Sequence, residues 1–222
     1  MAQLPLFPLG TVLLPGGPLP LRVFEPRYIE MLREVLNSEE RQFGVIAVRQ
    51  ERADGAWIPN LHRVGCAARV ESVRRIEGGA FGIIVRGTNR FVLDRVDSTQ
   101  APYLIGEVWW PDLESETPAG AGTTLTDPGT RIQAATGTLS RLAHTYAAAL
   151  NKELELAEEP AQVCHQILEL LGLPLGERQQ VLEAGDEACR LDYLTGLLTH
   201  EVTLSRSFGP LAPFLTDRPH SN

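Results

Sequence analysis

The chain has 222 residues, with 43% hydrophobic and 22% charged residues and a formal net charge of −8. That composition is globular and excludes a disordered chain, a collagen and a coiled-coil rod, and a chain of this length buries a core without a disulfide or metal staple. No apolar run approaches the ~20 residues of a membrane-spanning helix.

In chain order, the first half reads as β. Leu4–Leu9 and Val12–Pro15 are short apolar runs broken by proline, and Pro15-Gly16-Gly17-Pro18 is a turn. Leu19–Phe24 is the next strand. Pro26 then opens a helix at its first position, with Glu25 at the positive end of the dipole and Ile29, Leu32, Val35 and Leu36 on one face. Phe43–Val48 has the character of a buried strand. Val64–Ile76, a Gly78-Gly79 turn and Phe81–Val85 form a hairpin, and Phe91–Leu93 and Leu104–Trp109 complete a barrel or sandwich. Residues 111–128 are small, polar and acidic, a linker. Beyond it the period becomes helical. Asp127-Pro128 starts a long helix through Leu150, and Glu159-Pro160 starts a second, stopped at Gly172. Glu177–Ala184 is a third, and Asp186 caps a fourth through Val202. The predicted organisation is a β-rich domain over 1–110, a linker over 111–128, a helical bundle over 129–205 and a tail over 206–222.

Charge follows the same division. Residues 1–110 carry 13 Lys/Arg and 12 Asp/Glu, whereas 111–222 carry 7 and 16, so the halves stand at +1 and −9. An acidic chain is a poor general phosphate binder. Lys152 is the single lysine and lies between Asn151 and Glu153, so no P-loop exists. Its acidic neighbours keep it charged rather than nucleophilic. No G-x-S-x-G motif occurs. The three cysteines, 66, 164 and 189, form no CxxC and read as reduced thiols of a cytoplasmic protein. Cys164-His165, Cys189 and His200 lack metal-ligand spacing. No cofactor and no metal are expected.

Pro5-Leu6-Phe7-Pro8-Leu9, Val12-Leu13-Leu14-Pro15-Gly16 and Leu19-Pro20-Leu21-Arg22-Val23-Phe24-Glu25-Pro26-Arg27-Tyr28 strongly resemble the opening of the Lon protease N-terminal, substrate-binding domain. Phe43-Gly44-Val45, Val64 to Val70, Gly87-Thr88-Asn89-Arg90-Phe91, Pro102-Tyr103-Leu104 and the stretch from Gln179 to Leu191 follow in the family's order. The resemblance covers about residues 3–205. It implies an α+β fold: an N-terminal PUA-like β-pseudobarrel with one inserted helix, followed by a C-terminal α-helical bundle. It also implies a stand-alone homologue that recognises polypeptide and lacks the family's ATPase and protease modules, and hence a non-enzymatic chain.

Within Phe24, Glu25, Pro26, Arg27 and Tyr28, helix-start chemistry accounts for the residue types, so this block is expected to be structural. The candidate polypeptide-binding residues are Leu13 and Leu14, Trp57 and Ile58, and Trp109 and Trp110, the last two on opposite faces of a strand. Proline-broken strands with unpaired backbone groups offer an edge for an extended peptide. The expected partners are protein or peptide clients, with a protease or chaperone supplied in trans and no membrane. The competing reading is an RNA-binding PUA-like domain using Arg69, Arg74, Arg75, Arg86, Arg90 and Arg95. Glu71, Glu77, Asp94 and Asp97 interleave these arginines, which disfavours nucleic acid.

Overall fold

The computed structural model describes residues 2–50, 60–111 and 128–208. It divides into two compact units: Met1–Ala121 with Arg178–Glu183, and Gly122–Glu177 with Ala184–Asn222.

The first unit is a β-barrel. Its strands are β1 (Ala2–Leu9), β2 (Pro18–Val23), β3 (Gln42–Gln50), β4 (Asn60–Leu61), β5 (Val64–Arg75), β6 (Phe81–Asp97) and β7 (Leu104–Trp109), with helix α1 (Pro26–Asn37) between β2 and β3. The order β1-β7-β6-β5-β3 closes on itself because β1 also pairs with β3, in parallel, from Leu6 opposite Gly44 to Leu9 opposite Ala47. The other pairings are antiparallel. Inside lie Leu4, Leu6, Ile46, Ala67, Phe91, Leu93, Leu104 and Val108. Phe91 fits because Gly65 faces it: a Cβ there would lie 2.3 Å from the ring's Cζ. Helix α1 is fixed by Tyr28, whose ring is 4.2 Å from that of Phe7, and by the Tyr103 hydroxyl, which donates to Glu34.

Two sequence expectations change here. Phe81–Val85 and Phe91–Leu93 are one 17-residue strand, whose first part pairs with β2 and last part with β7. Val12–Pro15 is not a strand. It is an irregular segment whose following turn is tied to β6, Gly16 N–H donating to the Gly87 carbonyl and Gly87 N–H to that of Gly17, each at 2.9 Å.

The second unit is helical. Helices α2 (Pro128–Ala149), α3 (Pro160–Leu171) and α5 (Glu187–Phe208) pack on one another through Leu139, Val163, Ile167, Leu191, Leu194 and Leu198. Gly172 ends α3 at φ 58°, a left-handed C-cap. Asp186 caps α5, its carboxylate accepting from Cys189 N–H at 2.8 Å.

Helix α4 (Leu175–Glu183) straddles the two units. The sequence reading places it in the bundle, yet Arg178–Glu183 belong to the barrel unit. Gln179 Nε2 donates to the Val64 carbonyl at 3.0 Å and to Glu183 Oε1 at 2.8 Å. Arg90, 7% exposed, donates through Nη1 to the Leu182 carbonyl at 3.2 Å. The buried guanidinium therefore meets the unpaired carbonyls at a helix C-terminus, where a cation is favoured.

Candidate polypeptide-binding surface

Among the described residues of the barrel unit, exposed apolar side chains occur on and beside a three-stranded tongue made of β2, the second half of β5 and the first half of β6. Register assigns its faces, because cross-strand partners share a face and neighbours along a strand do not. One face carries the rows Leu19–Val85–Val70, Leu21–Ile83–Val73 and Val23–Phe81–Arg75. Val23, Ile83, Val85 and Val70 are buried there, whereas Val73, toward the hairpin tip, is 38% exposed. The Arg75 guanidinium lies 5.8 Å from the Phe81 ring centre.

The opposite face carries Pro20–Ile84–Ser72 and Arg22–Gly82–Arg74. All of these except half-buried Gly82 are exposed, Ile84 at 45%. Beside them Arg86 pairs with Glu71 and donates from Nη1 to the Gly16 carbonyl at 3.0 Å. The expected edge for strand addition is not offered by β2. Proline has no N–H, so Pro18 and Pro20 cannot donate from β2, and of the alternate positions 18, 20 and 22 only Arg22 keeps a backbone donor.

Phe24 follows β2 at the tip end and is 63% exposed. The next residues build the start of α1. Pro26 occupies its first turn, and Tyr28 and Ile29 N–H donate to the Glu25 carbonyl at 3.0 Å. Arg27 Nη2 lies 2.7 Å from Glu25 Oε2, and the guanidinium carbon 4.6 Å from the Tyr28 ring centre. Burial pushes the Tyr28 hydroxyl pKa upward, the Arg27 charge opposing it. Glu25, Pro26, Arg27 and Tyr28 thus satisfy one another, while Phe24 packs little.

The remaining candidates separate. Leu13 and Leu14 are 3% and 2% exposed, so they are core residues and not walls of a groove. The reason is the close approach of this segment to Gly87, where a Cβ would lie 2.1 Å from the Leu14 carbonyl oxygen. Trp57 and Ile58 lie outside the described residues. Trp109 is 37% exposed, while Trp110 is part-buried edge-on against Phe91 at 6.2 Å between ring centres.

Val73 and Ile84 were missed by the sequence reading, although a signal exists. In a strand of period two, adjacent Ile83 and Ile84 must face opposite sides, so one is exposed unless both faces are covered. Of the six barrel arginines, Arg69, Arg74 and Arg75 are exposed, and the other three are engaged or covered. Arg90 is buried under α4, Arg86 is paired with Glu71, and Arg95 is 3.9 Å from Asp94.

Elsewhere the chemistry is quiet. A groove of about 460 Å³ in the helical unit, lined by Thr130, Ala134, Thr138 and Thr195, is bridged by Arg131 and Asp192 at 2.8 Å. Burial pushes the Cys164 thiol up to about 12, which makes it a poor nucleophile. Among the described residues no group of three or more His, Cys, Asp or Glu is placed to hold a metal ion, and no helix is long and apolar enough to cross a membrane.

Known proteins give this surface a context. Residues 3–200 match the ATP-dependent protease La (LON) substrate-binding domain. Lon protease 4 of Sorangium cellulosum is 29% identical over 90% of this chain, and Lon protease 2 of Myxococcus xanthus 24% over 89%. This chain spans about a quarter of the length of these relatives, 24% in each case. Among solved structures, a Lon N-terminal domain protein from Xanthomonas campestris is 29% identical with a TM-score of 0.59, covering 88% of this chain and 98% of that one. The N-terminal domain of Mycobacterium avium complex Lon protease, 20% identical with a TM-score of 0.59 over 89% of this chain, shares the fold. With a closed β-barrel, five described helices and a family match spanning nearly its whole length, the chain belongs to the ATP-dependent protease La (LON) substrate-binding domain family.

Proposed function

We propose that this chain is a non-catalytic polypeptide-recognition module that captures apolar or extended protein segments and presents them to a protease or chaperone acting in trans. The observation that carries this reading is the exposure of Phe24, Val73 and Ile84 on or beside one tongue. Val73 on one face of the tongue, Ile84 on the other and Phe24 beside them each leave apolar surface in water, a solvation cost that a covering partner removes. Binding is then an equilibrium: the unfolded client contributes side chains that its own fold no longer buries, and no bond in it changes.

The test is fluorescence anisotropy of a fluorescein-labelled, reduced and carboxymethylated protein titrated with the intact chain. Saturable binding is expected. Phe24→Ser should weaken it about tenfold, the loss of ~1.4 kcal/mol expected of one aromatic anchor, with an unchanged far-UV spectrum. Anisotropy no higher than with a labelled folded protein overturns the reading. So does peptide cleavage or ATP hydrolysis that a single substitution in this chain abolishes.

A further inference from the structure

On the outer face of the tongue, two exposed cations stand on either side of a residue without a side chain. Arg22 of β2 and Arg74 of β5 both partner Gly82 of β6. Their Cα atoms are therefore two strand spacings apart, about 10 Å, on the same face as the glycine. Arg74 already lies across it, its Nε 3.1 Å and its Cγ 3.4 Å from where a Gly82 Cβ would sit. One register step along, exposed Ile84 and Pro20 supply an apolar floor. The nearest acidic side chain on these strands, Glu71, is engaged by Arg86. Toward the tip stand Arg75 and Glu77, both exposed. The face thus presents an unbalanced positive pair beside an apolar patch, on a chain whose net charge is −8.

Resting on the recognition role above, we propose that this face selects polypeptide segments that carry an acidic side chain beside apolar ones. The client carboxylate sits over Gly82 between the Arg22 and Arg74 guanidinium groups, and its apolar neighbour lies on Ile84 and Pro20. Charge complementarity is the warrant. Planar guanidinium forks match a carboxylate, and with no side chain at position 82 the gap between the two arginines is narrowed only by Arg74 itself and by Ile76, whose Cγ2 lies 3.7 Å from where a Gly82 Cβ would sit. Two features favour a segment lying across the face over strand addition: the proline-blunted edge of β2, and the alternation of cation and apolar side chain along the face.

The experiment uses the intact chain and two labelled peptides of about ten residues, enough to overreach the six-residue β2. Both alternate leucine and phenylalanine with one polar residue, aspartate in one peptide and asparagine in the other. The aspartate peptide should bind about three- to fivefold more tightly, the range for two exposed ion pairs, and the preference should shrink as salt is raised. Arg22→Gln with Arg74→Gln should bring the two peptides to equal affinity; both side chains are exposed, so the fold tolerates the change. Equal binding of the two peptides by the native chain, or a preference that survives the double substitution, overturns this inference and leaves the recognition role standing. Binding of neither peptide overturns both. A single-stranded RNA that binds more tightly than either peptide and is lost with the double substitution assigns the face to nucleic acid and overturns the inference as well.

Discussion

Gly87 lacks a side chain because another stretch of backbone occupies the space. A Cβ there would lie 2.1 Å from the Leu14 carbonyl oxygen, 2.9 Å from its carbonyl carbon and 3.1 Å from Cys66 Sγ. Backbone on one side and a buried thiol on the other cannot yield as a flexible side-chain end can. Gly87→Ala should therefore lower stability by about 2–3 kcal/mol, the upper part of the range for overpacking. Urea denaturation reads this directly, and a loss below ~0.5 kcal/mol would show that the Leu14 segment moves aside freely. The same contact explains why Leu13 and Leu14 were misread. Between prolines and outside a regular strand, two leucines look like a loop's exposed walls. Only the three-dimensional return of β6 beneath them, fixed by the Gly16, Gly17 and Gly87 hydrogen bonds, makes them core. Ile84 is the opposite case, since alternation alone requires one isoleucine of the pair to face outward where a sheet has a wet face.

At the scale of elements, local chemistry was legible and pairing was not. Proline at the starts of α1, α2 and α3, glycine after α3 and Asp186 before α5 set helix ends from side chains alone. The parallel pairing of β1 with β3, which closes the barrel, joins runs far apart in sequence, and no period within either run announces it. Helix α4 shows the same limit: an apolar stripe says that a face is buried, not which core receives it. The turn after β6 supports a direct test of local chemistry. Asp97 accepts from Thr99 N–H and Thr99 Oγ1, each at 2.7 Å, and from Gln100 Nε2 at 2.6 Å. These bonds favour the carboxylate and hold its pKa down to about 2, from an ordinary 3.8. The folded-state pKa is depressed, so the turn's contribution is complete above pH 3.8 and is lost as pH falls through about 2. The Thr99 amide resonance should titrate with that low midpoint. A midpoint at an ordinary carboxylate value would show that the three hydrogen bonds do not persist in solution.

At the scale of the molecule, the chain visits the barrel unit twice, since Arg178–Glu183 return to it from within the helical half. The charge asymmetry of the sequence suggests a clean division near residue 110, but a division made there leaves the barrel incomplete. It removes the donor to the Val64 carbonyl and the carbonyls of Leu182 and Glu183 that receive the buried Arg90 guanidinium. Losing these bonds costs about 0.5–1.5 kcal/mol for the neutral one and about 1.5–3 kcal/mol for those made by the guanidinium. A 1–121 fragment should therefore unfold at lower urea than the barrel of the intact chain, with at least ~2 kcal/mol lost. Tryptophan fluorescence is suited to the comparison, because Trp57, Trp109 and Trp110 all lie within the fragment and none lies beyond it. Gln179→Ala in the intact chain separates this docking from the other consequences of truncation, and should reproduce about 1 kcal/mol of the loss. If the fragment's tryptophan transition matches that of the intact chain, the returning helical turn adds nothing to the barrel, and the boundary suggested by composition is the physical one.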